Sequence, residues 1–242
     1  MGNQLSKPLV IAHRGASAHR PENTLTAFEL AVALRADMIE TDLHRTSDGA
    51  IVITHDEDLC GLGGVGEIAG ATLAEIRALD AGGGERVPTL DEILDRFGPQ
   101  IPFNLELKRA TETDYEGLEA QALAAVSARG LLARTLWSSF YDSVLGRLRV
   151  LAPDARVALL ISGRYPIRIL ERARELGAEA INPEASIVSA ARVDEAHAAG
   201  LAVYVFTVDD LGEMQRLLAL GVDGLFTNYP DRMRALVDSG AA

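Results

Sequence analysis

The sequence predicts an α/β fold of the (β/α)8 TIM-barrel class, and three observations predict it. Short apolar runs recur eight times along 242 residues, most of them followed by a helix-like segment. Gly130, Gly177, Gly200 and Gly221 each follow an alanine- or leucine-rich stretch, where a residue tolerating positive φ can end a helix. Polar residues with chemical capability end several of the apolar runs, and a parallel barrel gathers its strand ends on one rim.

A polar segment, Met1–Pro8, leads into the first strand, Leu9–Ala12, an apolar stretch too short for a signal-peptide core. A helix over Thr24–Leu34 follows, with Asn23 or Thr24 as its cap. The second strand is Met38–Leu43. An excursion then interrupts the rhythm over residues 44–88: an extra short strand, Ile51–Thr54, a glycine-rich loop, Gly61–Gly70, a small helical segment, Thr72–Leu79, and Gly82-Gly83-Gly84. It is too small to be a domain, so one barrel domain is expected over 1–242. A long structured connection at this end of a barrel more often forms a site than fills space.

The remaining strands are expected at Ile101–Leu107, Thr135–Ser138, Arg156–Leu160, Ala180–Asn182, Leu201–Phe206 and Gly224–Thr227. Helices alternate with them at Thr89–Phe97, Tyr115–Ala128, Ser143–Leu151, Pro166–Leu176, Ser189–Ala198 and Leu211–Leu220. Nearly continuous apolar runs such as Leu201–Phe206 fit strands covered by helices. An open doubly wound sheet is the competing architecture.

The formal charge of −12 disfavours non-specific binding to nucleic acid or to an anionic membrane surface. It leaves room for a local basic pocket built from Arg14, Arg20, Lys108 or Arg109. A single cysteine, Cys60, precludes an intrachain disulfide and fits a reducing compartment, so a cytoplasmic location is expected. No apolar run approaches the roughly 20 residues of a membrane-spanning helix, so no stable membrane insertion is expected.

The chemistry lies at the strand ends. The first strand runs into His13-Arg14-Gly15, the second into Glu40-Thr41-Asp42, the extra strand into His55-Asp56, and the strand at 101–107 carries Glu106 and leads to Lys108. Glu40 and Asp42 are two apart, so they share a strand face. Together with Glu106 they would form a cluster of hard oxygen ligands suited to Mg²⁺ or Ca²⁺. An ion network with Arg14, Lys108 or Arg109 is the plainer reading of any one of these carboxylates. His13 and His55 can exchange protons near neutrality or serve as metal ligands. Arg14 has the planar fork that matches phosphate oxygens, and Lys108 shares the face of Glu106. His44 is read as facing away from Asp42, in a structural or surface role. His19, in the first loop, is read as a substrate contact or a surface residue, and His197 as surface or packing. The loop Gly61–Gly70 lacks the Lys-Ser/Thr ending of a nucleotide-binding loop.

Taken together these residues resemble the glycerophosphodiester phosphodiesterase family. The matching stretches are His13-Arg14-Gly15, Pro21-Glu22-Asn23-Thr24, Glu40-Thr41-Asp42, Thr46-Ser47-Asp48-Gly49, His55-Asp56, Asn104-Leu105-Glu106-Leu107-Lys108 and Ser138-Ser139-Phe140. Near the end come Phe206-Thr207-Val208-Asp209, Gly221-Val222-Asp223-Gly224 and Thr227-Asn228-Tyr229-Pro230. The resemblance implies a divalent cation held by Glu40, Asp42 and Glu106, with His13 and His55 as an acid–base pair. It also implies phosphate contacts from Arg14 and Lys108, and hydrolysis of small-molecule glycerophosphodiesters to glycerol 3-phosphate and an alcohol such as choline or ethanolamine.

The sequence departs from the family pattern in places. Cys60-Gly61 stands where an arginine is common. Phe206 and Asp209 replace a common tryptophan and asparagine, and Asn228 a common aspartate. Phe206 keeps an aromatic wall, Asn182 is expected to face the pocket at its rim, and Asp209 and Asn228 change charge at the rim and bear on the choice of headgroup.

Three alternatives compete. A lysophospholipid-type phosphodiesterase would need an apolar groove, hinted at by Leu62, Val65 and Ile68. A non-catalytic glycerophosphodiester-binding protein would be expected to have lost one of the five central residues, all of which are present. Aldol chemistry would depend on Lys108, since Lys7 is the only other lysine.

Overall fold

The computed structural model describes residues 7–111 and 114–240, so residues 1–6 of the polar leading segment lie outside the described chain. The elements run β1 (Leu9–His13), α1 (Leu25–Ala33), β2 (Met38–Arg45), β3 (Ile51–Ile53), α2 (Leu73–Ile76), α3 (Leu90–Phe97), β4 (Phe103–Leu107), α4 (Leu118–Ala128) and β5 (Thr135–Ser139). They continue with α5 (Asp142–Leu151), β6 (Arg156–Ile161), α6 (Ile169–Leu176), β7 (Ala180–Pro183), α7 (Ala190–Ala198), β8 (Ala202–Val205), α8 (Leu211–Ala219), β9 (Gly224–Thr227) and α9 (Pro230–Ser239).

Eight strands are parallel, and β1 pairs with both β2 and β9, so the sheet closes into a barrel. The open doubly wound alternative is thereby excluded. Helix α9, which the sequence reading did not separate, follows the last strand. Pro230 sits at its first turn, and it buries Met233, Leu236 and Val237 against β1 and β9. Its apolar spacing of three and four was the available signal.

Two-residue alternation sorts each strand into an outward and an inward face. Outward side chains such as Leu105, Trp137, Leu159 and Val203 join the main core with the helices. Inward ones, Ile11, Met38, Leu136, Ala158, Ala180, Tyr204 and Phe226, fill the barrel in a separate cluster. Two residues further along the same strands the inward positions become His13, Glu40, Ser138, Leu160, Asn182, Phe206 and Asn228. The apolar cluster is therefore a floor, and these strand-end side chains stand on it.

The excursion is a hairpin with a small core of its own. β2 extends beyond the rim to Arg45, and β3 returns antiparallel to it, with Leu43 opposite Ile53. The reversal at 46–50 is tied by the Ala50 N–H donating to the Thr46 hydroxyl at 2.8 Å and by Gly49 at φ 89°. Val52, Leu59, Ile68, Ile76 and Val87 pack beneath it. This return brings His55 back to the level of the barrel mouth.

Phe28 of α1 is fully buried between Phe97 and Phe103, with ring centroids 5.9 and 6.3 Å away in edge-to-face geometry. Replacing it with alanine is expected to remove about 3–5 kcal/mol of stability. Urea unfolding checks this, and a loss below about 1 kcal/mol would show that the helix–barrel contact can relax around the cavity.

Candidate active site

The first loop holds its functional side chains by unusual backbone. Arg14 adopts φ 56° and Asn23 φ 57°, a left-handed conformation that costs a non-glycine residue free energy. The Arg14 N–H donates to the Glu40 carbonyl at 2.9 Å, and the Asn23 N–H to the Arg14 carbonyl at 3.0 Å, which offsets that cost. Gly15, at φ 85°, lies so close to α1 that a Cβ there would stand 2.7 Å from the Ala27 carbonyl carbon. Thr24 caps α1, its hydroxyl accepting from Ala27 N–H at 3.3 Å. Asn23 is left free for the site: its Nδ2 donates to Asp42 Oδ2 at 3.0 Å, and its Oδ1 accepts from the Thr41 hydroxyl at 2.6 Å.

Glu40, Asp42 and Glu106 are all buried, and the β2–β4 register sets Asp42 beside Glu106. One carboxylate oxygen from each lies within 4.8 Å of the others. Lys108 Nζ is 2.9 Å from Asp42 Oδ1 and 2.7 Å from Glu106 Oε1. Arg14 Nε is 3.4 Å from Asp42 Oδ2, while its Nη1 donates to both oxygens of Glu22 at 3.0 Å. The ion network expected as the plainer reading thus exists at Asp42 and Glu106. Arg109 takes no part, pairing with Asp114 and covering the Tyr141 ring at 4.6 Å.

The charges do not balance. Three buried carboxylates face two cations, and Glu40 has the poorest compensation. Burial, then the negative charges of Asp42 and Glu106, push its pKa well above the usual carboxylate range. Burial acts the same way on Asp42, but Lys108 and Arg14 overcome it and hold that carboxyl below the ordinary value. Burial also lifts Glu106, against the pull of Lys108. A hard, all-oxygen donor set with an excess of negative charge fits a divalent cation, and the spacing suits ligand bonds of about 2.1–2.5 Å.

His13 and His55 line the same cavity of about 180 Å³, with Arg14, Glu40, Glu106, Lys108 and Phe206. Burial, then the charge of Arg14, lowers the His13 pKa from 6.5 to about 4, so the ring is neutral at pH 7. Its Nδ1 lies 2.8 Å from Asn228 Oδ1, and its Nε2 lies 3.9 Å from Glu40 Oε2. His55 Nδ1 lies 2.7 Å from Asp56 Oδ1.

The expectation for His44 needs correction. It stands two residues beyond Asp42, so alternation places it on the Asp42 side of β2. It is buried, with Nδ1 2.8 Å from the Tyr115 hydroxyl and Nε2 3.1 Å from the His55 carbonyl oxygen. It anchors the segment that carries His55.

Other expected contacts do not line the cavity. His19 pairs with Asp231 at 3.0 Å at the surface and stacks edge-on with Tyr229. Arg20 donates to the His19 carbonyl. Asn182 is fully buried with both amide atoms unpartnered, and Asp209 and Asn228 bond to each other beside His13. His197, expected as a surface or packing residue, pairs with Asp223 at the surface. The sequence reading named no role for Asn104, Ser138, Phe140, Leu160, Thr207 and Phe226, which also line the cavity. Alternation around Glu106 could have found Asn104. The others depend on which strand ends converge. Phe140 and Phe206 meet edge-to-face at 5.7 Å.

Fold and site together define a closed α/β barrel with an acidic cluster able to coordinate a divalent cation and two histidines at its mouth. Residues 13–232 match the model of the glycerophosphoryl diester phosphodiesterase family, and the chain belongs to that family. A glycerophosphodiester phosphodiesterase of Bacillus subtilis is 34% identical over 257 residues, covering 95% of this chain and 87% of the relative. One from Caldanaerobacter subterraneus is 34% identical over 246 residues, covering 97% and 99%. The solved structure of a phosphodiesterase from Oleispira antarctica, in complex with its product sn-glycerol-3-phosphate, superposes with a TM-score of 0.83 at 32% identity, covering 96% of this chain and 97% of that one.

Because Glu40 keeps its proton to an unusually high pH and a cation needs the carboxylate, cation binding should expel protons and tighten as pH rises. Titration calorimetry in buffers of different ionisation enthalpy measures this. Binding enthalpies that do not depend on the buffer would contradict the upward shift of the Glu40 pKa.

Proposed function

We propose that the chain hydrolyses glycerophosphodiesters to glycerol 3-phosphate and an alcohol, as a metal-dependent enzyme acting through His13 and His55. The observation that carries this reading is one cavity lined by both histidines, two of the acidic residues, Arg14 and Lys108, in a chain of this family. The product bound to the related phosphodiesterase names the same chemical class.

Glu40, Asp42 and Glu106 would hold the cation, Mg²⁺ or Ca²⁺. When bound, it supplies charge neutralisation to a non-bridging phosphate oxygen. Arg14 meets the phosphate with a planar fork of donors, already steered by Glu22 and Asp42. Lys108 supports the same charge from between Asp42 and Glu106 as negative charge builds on phosphorus in the transition state. One histidine accepts the proton of the attacking oxygen, from water or the neighbouring glycerol hydroxyl. The other donates a proton to the departing alkoxide. Attack by water gives glycerol 3-phosphate directly, whereas attack by the glycerol hydroxyl gives a cyclic phosphate that a water then opens. Either route consumes one water. Phe140, Leu160, Phe206 and Phe226 give the cavity an apolar side for the carbon atoms of the substrate.

Among the described residues no helix is long and apolar enough to cross a membrane. The exposed Cys60, outside any disulfide, fits a reducing compartment and supports a cytoplasmic enzyme of glycerol and lipid metabolism. The whole chain is read as one catalytic domain, with residues 44–88 as the excursion that delivers His55.

Purified protein given glycerophosphocholine should release glycerol 3-phosphate, stop after chelation, and recover with Mg²⁺ or Ca²⁺. His13→Ala and His55→Ala should each lower kcat by about 10²- to 10⁴-fold. Full activity in either variant would remove that histidine from the reaction. No release with either metal would overturn the substrate.

A further inference from the structure

A neutral imidazole carries its proton on one nitrogen, and the partner of one nitrogen decides the state of the other. For His13 that partner is Asn228 Oδ1, 2.8 Å from Nδ1. An amide can present either its oxygen or its NH₂ at such a place, so the remaining bonds of the amide must settle which way it points.

They settle it clearly. Asn228 Nδ2 lies 2.6 Å from Asp209 Oδ2, and a carboxylate oxygen only accepts. The Ser17 hydroxyl lies 2.7 Å from Asn228 Oδ1 and 2.8 Å from the His13 carbonyl oxygen, so its single proton is shared between two acceptors. Asp209 is fixed in turn, because its Oδ1 accepts from the Asn228 backbone N–H at 2.8 Å and from the Thr227 hydroxyl at 3.1 Å. Turning the amide over would press its oxygen against the Asp209 carboxylate. With Asn228 Oδ1 facing His13, Nδ1 must be the donor, and the unprotonated nitrogen is Nε2.

We propose that Asn228, aimed by Asp209, is a positioning residue that holds His13 with its proton on Nδ1 and a free lone pair on Nε2. The proposal rests on the reading of His13 as one of the acid–base pair. Asp209 and Asn228 bond to each other through Oδ2 and Nδ2 at 2.6 Å. Exchanging amide and carboxylate between these positions keeps the bond and keeps an acceptor oxygen facing His13.

The network also ties the end of β9 to the end of β1, where the barrel closes, so a purely structural role must be separated from a positioning one. Nitrogen NMR of the histidine-labelled, Mg²⁺-loaded full chain, at a pH where the ring is neutral, reports the tautomer directly. Steady-state kinetics on glycerophosphocholine accompany it.

Wild type should show His13 protonated at Nδ1. Asp209→Asn frees the amide to turn, so the signature should move toward Nε2 protonation, and kcat should fall on the order of 10- to 100-fold with KM little changed. Asn228→Asp sets two carboxylates face to face and should also impair turnover. The double exchange, Asp209→Asn with Asn228→Asp, recreates the bond and should restore both tautomer and kcat. A wild-type ring protonated at Nε2, an Asp209→Asn variant with unchanged tautomer, or losses that merely add in the double variant would each overturn the proposal. Full turnover by His13→Ala overturns the acid–base reading alone, because the tautomer signature needs no turnover.

Discussion

Three carboxylates buried within 4.8 Å of one another at the mouth of a barrel cannot all be ionised without cationic company, and the architecture around them answers to that constraint. Lys108 bridges Asp42 and Glu106, Arg14 approaches Asp42, and Asn23 donates to the same carboxylate. Two residues of left-handed backbone, Arg14 and Asn23, let the first loop turn its donors inward. Glu40 has the least cationic company, and its raised pKa leaves a ligand oxygen that a divalent cation could take over. A site so charged would be costly in isolation. The apolar floor of Ile11, Met38, Leu136 and Phe226 beneath it adds to that cost, and Lys108, Arg14 and Asn23 offset it.

The two proposed acid–base histidines reach this cluster by different routes. His13 ends a barrel strand, and its ring is set by residues beyond β9, so its orientation depends on barrel closure through the β1–β9 pairing. His55 arrives on the return limb of a hairpin that leaves the barrel and comes back. His44 and Tyr115 hold that return segment from below through the His55 carbonyl. Rotating His13 out of place therefore disturbs the β9 end, and displacing the His55 backbone disturbs the His44–Tyr115 pair beneath it.

Much of this was legible beforehand. The strand ends Glu40, Asp42 and Glu106 announced themselves as charged residues on otherwise apolar strands, and the eight barrel strands were placed to within a residue or two at most ends. Helix α9 escaped because its apolar spacing follows the last strand, where the alternating pattern has no further strand to bracket it. His44 was assigned to the wrong side of β2, although period two places it beside Asp42. Asn228 and Asp209 were expected at the rim. Their partner is His13, 215 residues away along the chain from Asn228, and no local pattern encodes such a pairing.

By itself, the sequence determined the barrel and the identity of its cationic and anionic groups, because strand burial and two-residue alternation are local properties written in neighbouring residues. Only the tertiary structure decided which of those groups meet. Barrel closure, the hairpin return of β3 and the cavity walls from Phe140, Leu160 and Phe226 depend on strands far apart in sequence. The orientation of an amide such as Asn228 is settled by partners brought to it in space, since hydrogen bonds act over about 3 Å however long the intervening chain.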